Sequence, residues 1–209
     1  MQNILKRSEP ISDCLWLRQT YRDSIPADCR GAYYEILNKL VAYFKELVDD
    51  IIRENGGTIS LPMETDLFKN YLSGYNLIYT GFYNFWGVDG YFETDPDDNK
   101  TINIYYNTNT PLTRQRFTKT HETFHFIESL DDKFLDLFDN LLLNSTLPKG
   151  VIIKLMEKAT DKATAMYLMP NEYFIKKYRE IKNPKKLATL FGVSEQTLCY
   201  HLKECGITI

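Results

Sequence analysis

Thr113–Leu130 reads TRQRFTKTHETFHFIESL, and the pentad inside it, His121-Glu122-Thr123-Phe124-His125, decides how the rest of the chain is understood. Arg114–Ser129 is expected to form one helix. Four residues apart on it, the imidazoles of His121 and His125 share a face, the spacing that two ligands of one tetrahedral Zn²⁺ need. Glu122 then lies beside the metal, not on it. Zinc lowers the pKa of a bound water towards neutrality, and an adjacent carboxylate takes that proton as hydroxide attacks a peptide carbonyl. The pattern predicts a metallopeptidase with Glu122 as its general base. It uses two of the chain's three histidines. The plainer alternative is a helix whose histidines only face a polar core.

Downstream, Pro148 opens a second helix that runs to about Met169 and is closed by Pro170. A hydrolytic zinc site takes three protein ligands and keeps a fourth position open, so this helix is expected to supply the third. Glu157 and Asp161 are the candidates: they lie four apart, on one face of a helix otherwise rich in Ala, Met, Leu and Lys. Tyr167 and Tyr173 are the candidate oxyanion donors. Between the two helices, 131–143 reads as apolar packing.

Upstream, residues 32–54 place Tyr33, Leu37, Leu40, Phe44, Leu47 and Ile51 at helical intervals, a core helix stopped by Gly56-Gly57. A shorter helix is expected over Pro62–Leu72. From Gly74 the period becomes alternating, and Asn76–Phe82, Val88–Thr94 and Thr101–Tyr106 read as three strands of a short β-meander. The fold class is therefore α+β. Ile102–Tyr106 is the candidate edge strand, with Ile102, Ile104 and Tyr106 expected to take an extended peptide through main-chain hydrogen bonds, and a strand covered on both sides is the equal alternative.

The 209 residues carry a net charge of −3 and a sequence pI of about 5.7, which argues against the whole protein binding nucleic acid or an anionic membrane surface. The N-terminus lacks a signal-peptide core and no eighteen apolar residues run together, so a soluble, cytoplasmic protein is expected. Cys14, Cys29, Cys199 and Cys205 show no metal or disulfide spacing and read as reduced thiols.

The last stretch, PKKLATLFGVSEQTLCYHLKECGITI from Pro184, reads as helix, Gly192 turn, then a helix capped by Ser194, the helix-turn-helix pattern. Leu187, Ala188, Val193, Leu198 and Leu202 fall where the two helices pack. Lys182, Lys185 and Lys186 are placed to touch phosphates. The second helix, however, offers Glu195, Gln196, Thr197, Tyr200 and His201 with no arginine to read guanine, so packing or substrate docking is favoured over DNA binding. His201 reads as a polar helix residue.

Arg116-Phe117-Thr118 ahead of the pentad, then Glu157-x-x-x-Asp161 leading into Ala165-x-x-Leu168-Met169-Pro170, resembles the ImmA/IrrE family of metallo-endopeptidases over residues 60–205. The resemblance implies a zincin-like domain with Glu157 as third zinc ligand and Asp161 as the neighbour holding the site. It also implies a substrate class, a helix-turn-helix repressor encoded beside the peptidase. Thr123-Phe124 replaces the family's Leu-Gly, and Thr160 and Ala163 stand where the family has Ala and Phe, smaller partners expected to accommodate the Phe124 ring. Three segments follow: an irregular 1–30, a zinc metallopeptidase domain over 31–170 and a helical 171–209. The expected function is a zinc endopeptidase acting on a regulatory protein. The alternative is a non-catalytic regulator that binds a protein partner or DNA through its C-terminal helices.

Overall fold

The stripe Tyr33, Leu37, Leu40, Phe44, Leu47 and Ile51 is buried along one side of the 25-residue helix α1 (Arg30–Glu54). The protein is seen here as a computed structural model that describes residues 29–84, 87–145 and 147–207. The segment expected to be irregular, 1–30, thus lies almost wholly outside the described residues.

After α1 come α2 (Asp66–Tyr71), strands β1 (Asn76–Phe82), β2 (Gly90–Thr94) and β3 (Thr101–Asn107), then α3 (Leu112–Leu130), α4 (Asp132–Asn144), α5 (Lys149–Leu168), α6 (Asn171–Ile181), α7 (Pro184–Phe191) and α8 (Glu195–Glu204). The class is α+β, as expected. Helix α2 is shorter than Pro62–Leu72, and just ahead of it the Glu64 carbonyl accepts a bond from the Tyr167 hydroxyl at 2.6 Å. Helix α6 falls inside the stretch 171–209 expected to be helical, with Phe174, Tyr178 and Ile181 at helical spacing along it.

The sheet corrects the expected meander. Its order is β1-β3-β2, with β1 parallel and β2 antiparallel to the central β3. Parallel pairing needs a long crossover, which residues 83–100, with β2 inside them, provide. Asn107 fastens this excursion: its side-chain amide donates to the carbonyls of Asn84 and Val88 at 2.9 and 3.1 Å, and its oxygen accepts from the backbone N–H groups of Asn84 and Asn109.

Sheet and helices meet over α3. The hydroxyls of Tyr79 and Thr123 lie 3.1 Å apart, and the rings of Tyr75 and Phe92 meet Phe126 edge-on. On the other side of α3, Phe124 enters an aromatic cluster. Its ring centroid is 5.4 Å from Phe68, 6.0 Å from Phe44 and 6.1 Å from Tyr167, all near perpendicular. Fully buried there, the ring contributes about 1.5–3 kcal/mol by leaving water, and it points into the core shared by α1, α2 and α5. The ring thus lies on the core side of α3.

The C-terminal helices form the expected helix-turn-helix. Asn183 caps α7, Ser194 caps α8, and Gly192 makes the left-handed turn between them (φ 63°). Leu187, Ala188, Val193, Leu198 and Leu202 are all buried at their junction. Arg116 ties this pair to the body, its guanidinium donating to the Gly192 carbonyl (3.1 Å) and to the Glu64 carboxylate (2.9 Å). Lys162 on α5 pairs with Glu204 on α8. Among the described residues no helix is long and apolar enough to cross a membrane.

Candidate metal centre

Helices α3 and α5 pack so that three donor groups converge. The Nε2 atoms of His121 and His125 lie 2.9 Å apart, and each is 3.5 Å from Oε2 of Glu157. A tetrahedral ion with bonds of about 2.0–2.2 Å needs donors about 3.3–3.5 Å apart. The two histidine–Glu157 spacings match that value and the histidine–histidine spacing is shorter, and His121, His125 and Glu157 form a group whose ligand atoms lie within 4.8 Å of one another. The donor set fits a divalent metal of zinc's chemistry.

The three groups are packed together and strongly coupled. Both histidines are buried, at 6% and 8% exposure, and face each other. Burial and the charge of His125 push the His121 imidazole down, but contacts with Asp161 and Glu157 and the charge of Glu122 outweigh them and raise it to about 9. Burial likewise opposes the charge on His125, yet Glu128 and Glu157 hold its pKa well above the usual value. Burial would push Glu157 up, but the charges and contacts of His125 and His121 hold it far below the usual carboxylate range. Three groups that mutually shift one another this way are a common mark of a functional site.

Around the cluster, the Asp161 carboxylate stands 3.1 Å from His121 Nδ1, within ion-pair reach but off the N–H direction, on the same helical face as Glu157. The Phe117 ring lies parallel to the His121 imidazole at 6.2 Å. Glu122 is also buried, at 6%. Strand β2 closes on it at Gly90: a Cβ there would stand 3.4 Å from Glu122 Cγ and 2.3 Å from Thr118 Cγ2. Only a residue without a side chain lets β2 lie this close to α3.

The β3 candidates and Tyr167 are corrected. Ile102, Ile104 and Tyr106 sit on β3, which is flanked on both sides; its ladder is used, and Ile102 and Ile104 are fully buried in the core. Tyr106 lies under the Lys119 ammonium at 5.2 Å. The strand that borders Glu122 is β2. Tyr167 is fully buried, stacked on Phe68 at 4.5 Å, with its hydroxyl committed to the Glu64 carbonyl, so it has no donor left for an oxyanion. Tyr173 packs against Phe191 and carries Lys177 over its ring, in the seam with the C-terminal helices. His201 is not at the metal cluster either. It is buried at 3% beside Phe174.

One residue at the site was not anticipated. Glu128 is buried at 5% and its carboxylate reaches His125 Nδ1 at 2.9 Å. The i, i+3 spacing from His125 was the available signal. Thr160, expected only to make room for Phe124, instead donates its hydroxyl to Glu128 at 2.5 Å.

Comparison with known proteins agrees with this geometry. No curated protein matches the chain. Among solved structures, a Mycobacterium tuberculosis transcriptional regulator shares the fold with a TM-score of 0.57 at 12% identity, over 84% of this chain and 51% of the regulator. The chain thus spans about half the length of that protein. The family model described as "IrrE N-terminal-like domain" matches residues 78–203, which include all three ligand positions and Glu122, and the chain belongs to this peptidase family.

Proposed function

We propose that the chain is a zinc endopeptidase acting on a regulatory protein, of the helix-turn-helix repressor class that the family resemblance implies. The observation that carries the reading is the convergence of the donor atoms of His121, His125 and Glu157 on one point, with Glu122, a carboxylate that is not one of the three, next in sequence to His121. His121, His125 and Glu157 would hold the zinc. When bound, it supplies Lewis-acid polarisation of a peptide carbonyl and makes a water acidic near neutral pH.

The chain's own side chains do the rest. Glu122 accepts the proton of the attacking water on its carboxylate and returns it to the leaving amine. Asp161 places a negative charge beside His121 Nδ1, and the Phe117 ring lies against that imidazole. An extended substrate segment adds to the outer edge of β2, which has β3 on one side and, among the described residues, no strand on the other. Its scissile bond is then carried past Glu122, since Gly90 at the start of β2 abuts that residue.

The test is incubation of the purified, zinc-loaded chain with the repressor encoded beside it, followed by mass measurement. Discrete fragments that disappear with chelator support the reading. An intact repressor in the presence of bound zinc overturns it. Retardation of a DNA duplex by the same preparation would then favour the regulator alternative.

A further inference from the structure

Glu128 is the only acid on α3 buried on the far side of His125 from the ligand cluster. A buried carboxylate is costly unless each of its oxygens is used. Both are. Oε2 faces His125 Nδ1 at 2.9 Å, and Oε1 accepts from Thr160 Oγ1 at 2.5 Å. Thr160 is itself fully buried and lies on α5, the helix that carries Glu157. A hydroxyl has one proton, and Thr160 Oγ1 also lies 2.9 Å from the Met156 carbonyl. The shorter contact and the negative charge direct that proton to Glu128, because charge-assisted bonds are the stronger ones.

We infer that the Glu128–Thr160 pair is a positioning device that holds His125 in the tautomer and orientation needed for ligation and locks the two ligand-bearing helices together. The inference rests on the zinc reading above and deepens it. With Glu128 accepting at Nδ1, the proton of neutral His125 is kept there, and the Nε2 lone pair points to the place where Nε2 of His121 and Oε2 of Glu157 meet. The second half of the bridge matters equally. His125 and Glu128 ride on α3 and Glu157 rides on α5, so the Thr160 hydroxyl fixes the distance between two ligands that no loop connects closely.

The two histidines are therefore held unequally. The Nδ1 of His121 faces Asp161, whose side chain is 59% exposed and which stands off the N–H line. The Nδ1 of His125 faces an acid buried at 5% and itself anchored. His125 is the stiff ligand of the site and His121 the yielding one.

The experiment measures zinc affinity by competition with a chromophoric chelator for the wild type, Glu128→Gln and Thr160→Val, with the metal-free thermal midpoint of each recorded in parallel. Glu128→Gln is expected to weaken zinc binding by about 10- to 100-fold, the usual effect of losing such a partner. Thr160→Val, which preserves shape, is expected to weaken it several-fold and to make the His125 Nδ1 proton exchange faster in NMR spectra of the zinc-loaded protein. Should Glu128→Gln fail to fold, Thr160→Val alone decides. Unchanged zinc affinity with a lowered midpoint would reduce the pair to packing and overturn the inference. A wild type that binds zinc tightly yet cleaves nothing refutes the peptidase reading and leaves this one standing; a wild type that takes up no zinc overturns both.

Discussion

Gly90→Ala is the sharpest available test of how closely β2 packs on α3 beside Glu122. The added methyl would stand 2.3 Å from Thr118 Cγ2 and 2.6 Å from the Tyr105 carbonyl oxygen. The threonine methyl can swing away. The carbonyl cannot, because it belongs to the central strand, so β2 must retreat by about 0.4 Å or more to restore even the tightest contact that real Cβ atoms show. Overfilling a packed site of this kind costs about 1–3 kcal/mol. In a protein of this size each kcal/mol lowers the thermal midpoint by about 2–4 °C. The same retreat separates β2, the strand proposed to take the substrate, from Glu122. A displacement of about 1 Å at a reacting centre costs about 10²-fold, so a shift of this size should lower cleavage by roughly tenfold. Zinc content should not change, since the ligands sit on α3 and α5. Differential scanning calorimetry, zinc analysis and a cleavage time course on one preparation give all three values. A variant with wild-type midpoint and wild-type cleavage would refute the close approach of β2 to Glu122.

The remaining expectations concern single side chains. Glu122→Gln should keep its zinc and its midpoint while losing cleavage by at least about 10²-fold, whereas Glu157→Gln should lose zinc as well; equal zinc loss in both would show that Glu122 is a ligand. Zinc uptake at pH 7 should release about one proton or more per ion, because His121, raised to about 9, must give up its proton to ligate, and the release should shrink above that pH. Calorimetric heats that do not depend on the buffer's ionisation enthalpy would contradict this. His201 is neutral in the fold, its pKa pushed down to about 4 chiefly by burial, while the unfolded chain protonates it near 6.5. Stability linked to it is thus complete above about pH 6.5 and lost as pH falls towards 4, amounting to about 3 kcal/mol. Urea titrations of wild type and His201→Gln should differ in their acid slope by that amount, and parallel slopes would exclude the effect.

What could be read in advance was local. His121 and His125 share a helical face by spacing alone, and two acids on an apolar helix, Glu157 and Asp161, need a partner wherever that helix goes. Strand positions were also legible from alternation. Strand neighbours were not, because alternation says which residues share a face and nothing about which strand lies alongside. The position of Gly90 depends on where α3 runs, and no sequence window contains both. Tyr167 was misread for a reason that geometry could have exposed: ten residues beyond Glu157 is about 1000° of helical rotation, which leaves it about 80° off the ligand face. Glu128 was passed over because a carboxylate three residues after His125 looks the same on a solvated face as on a buried one.

The β1-β3-β2 order also sets a timetable. Strands β2 and β3 are joined by the short connection 95–100 and can close from their own turn, on the microsecond scale of hairpins. Strand β1 can pair only with a completed β3, across all of 83–100, so its ladder must wait for a longer loop to close. The edge beside Glu122 is therefore assembled before the edge farthest from it. In pulsed hydrogen exchange, amides of β2 and β3 should gain protection ahead of those of β1, and simultaneous protection would contradict that sequence of events. A chain arrested before β1 docks would already hold the strand that borders Glu122.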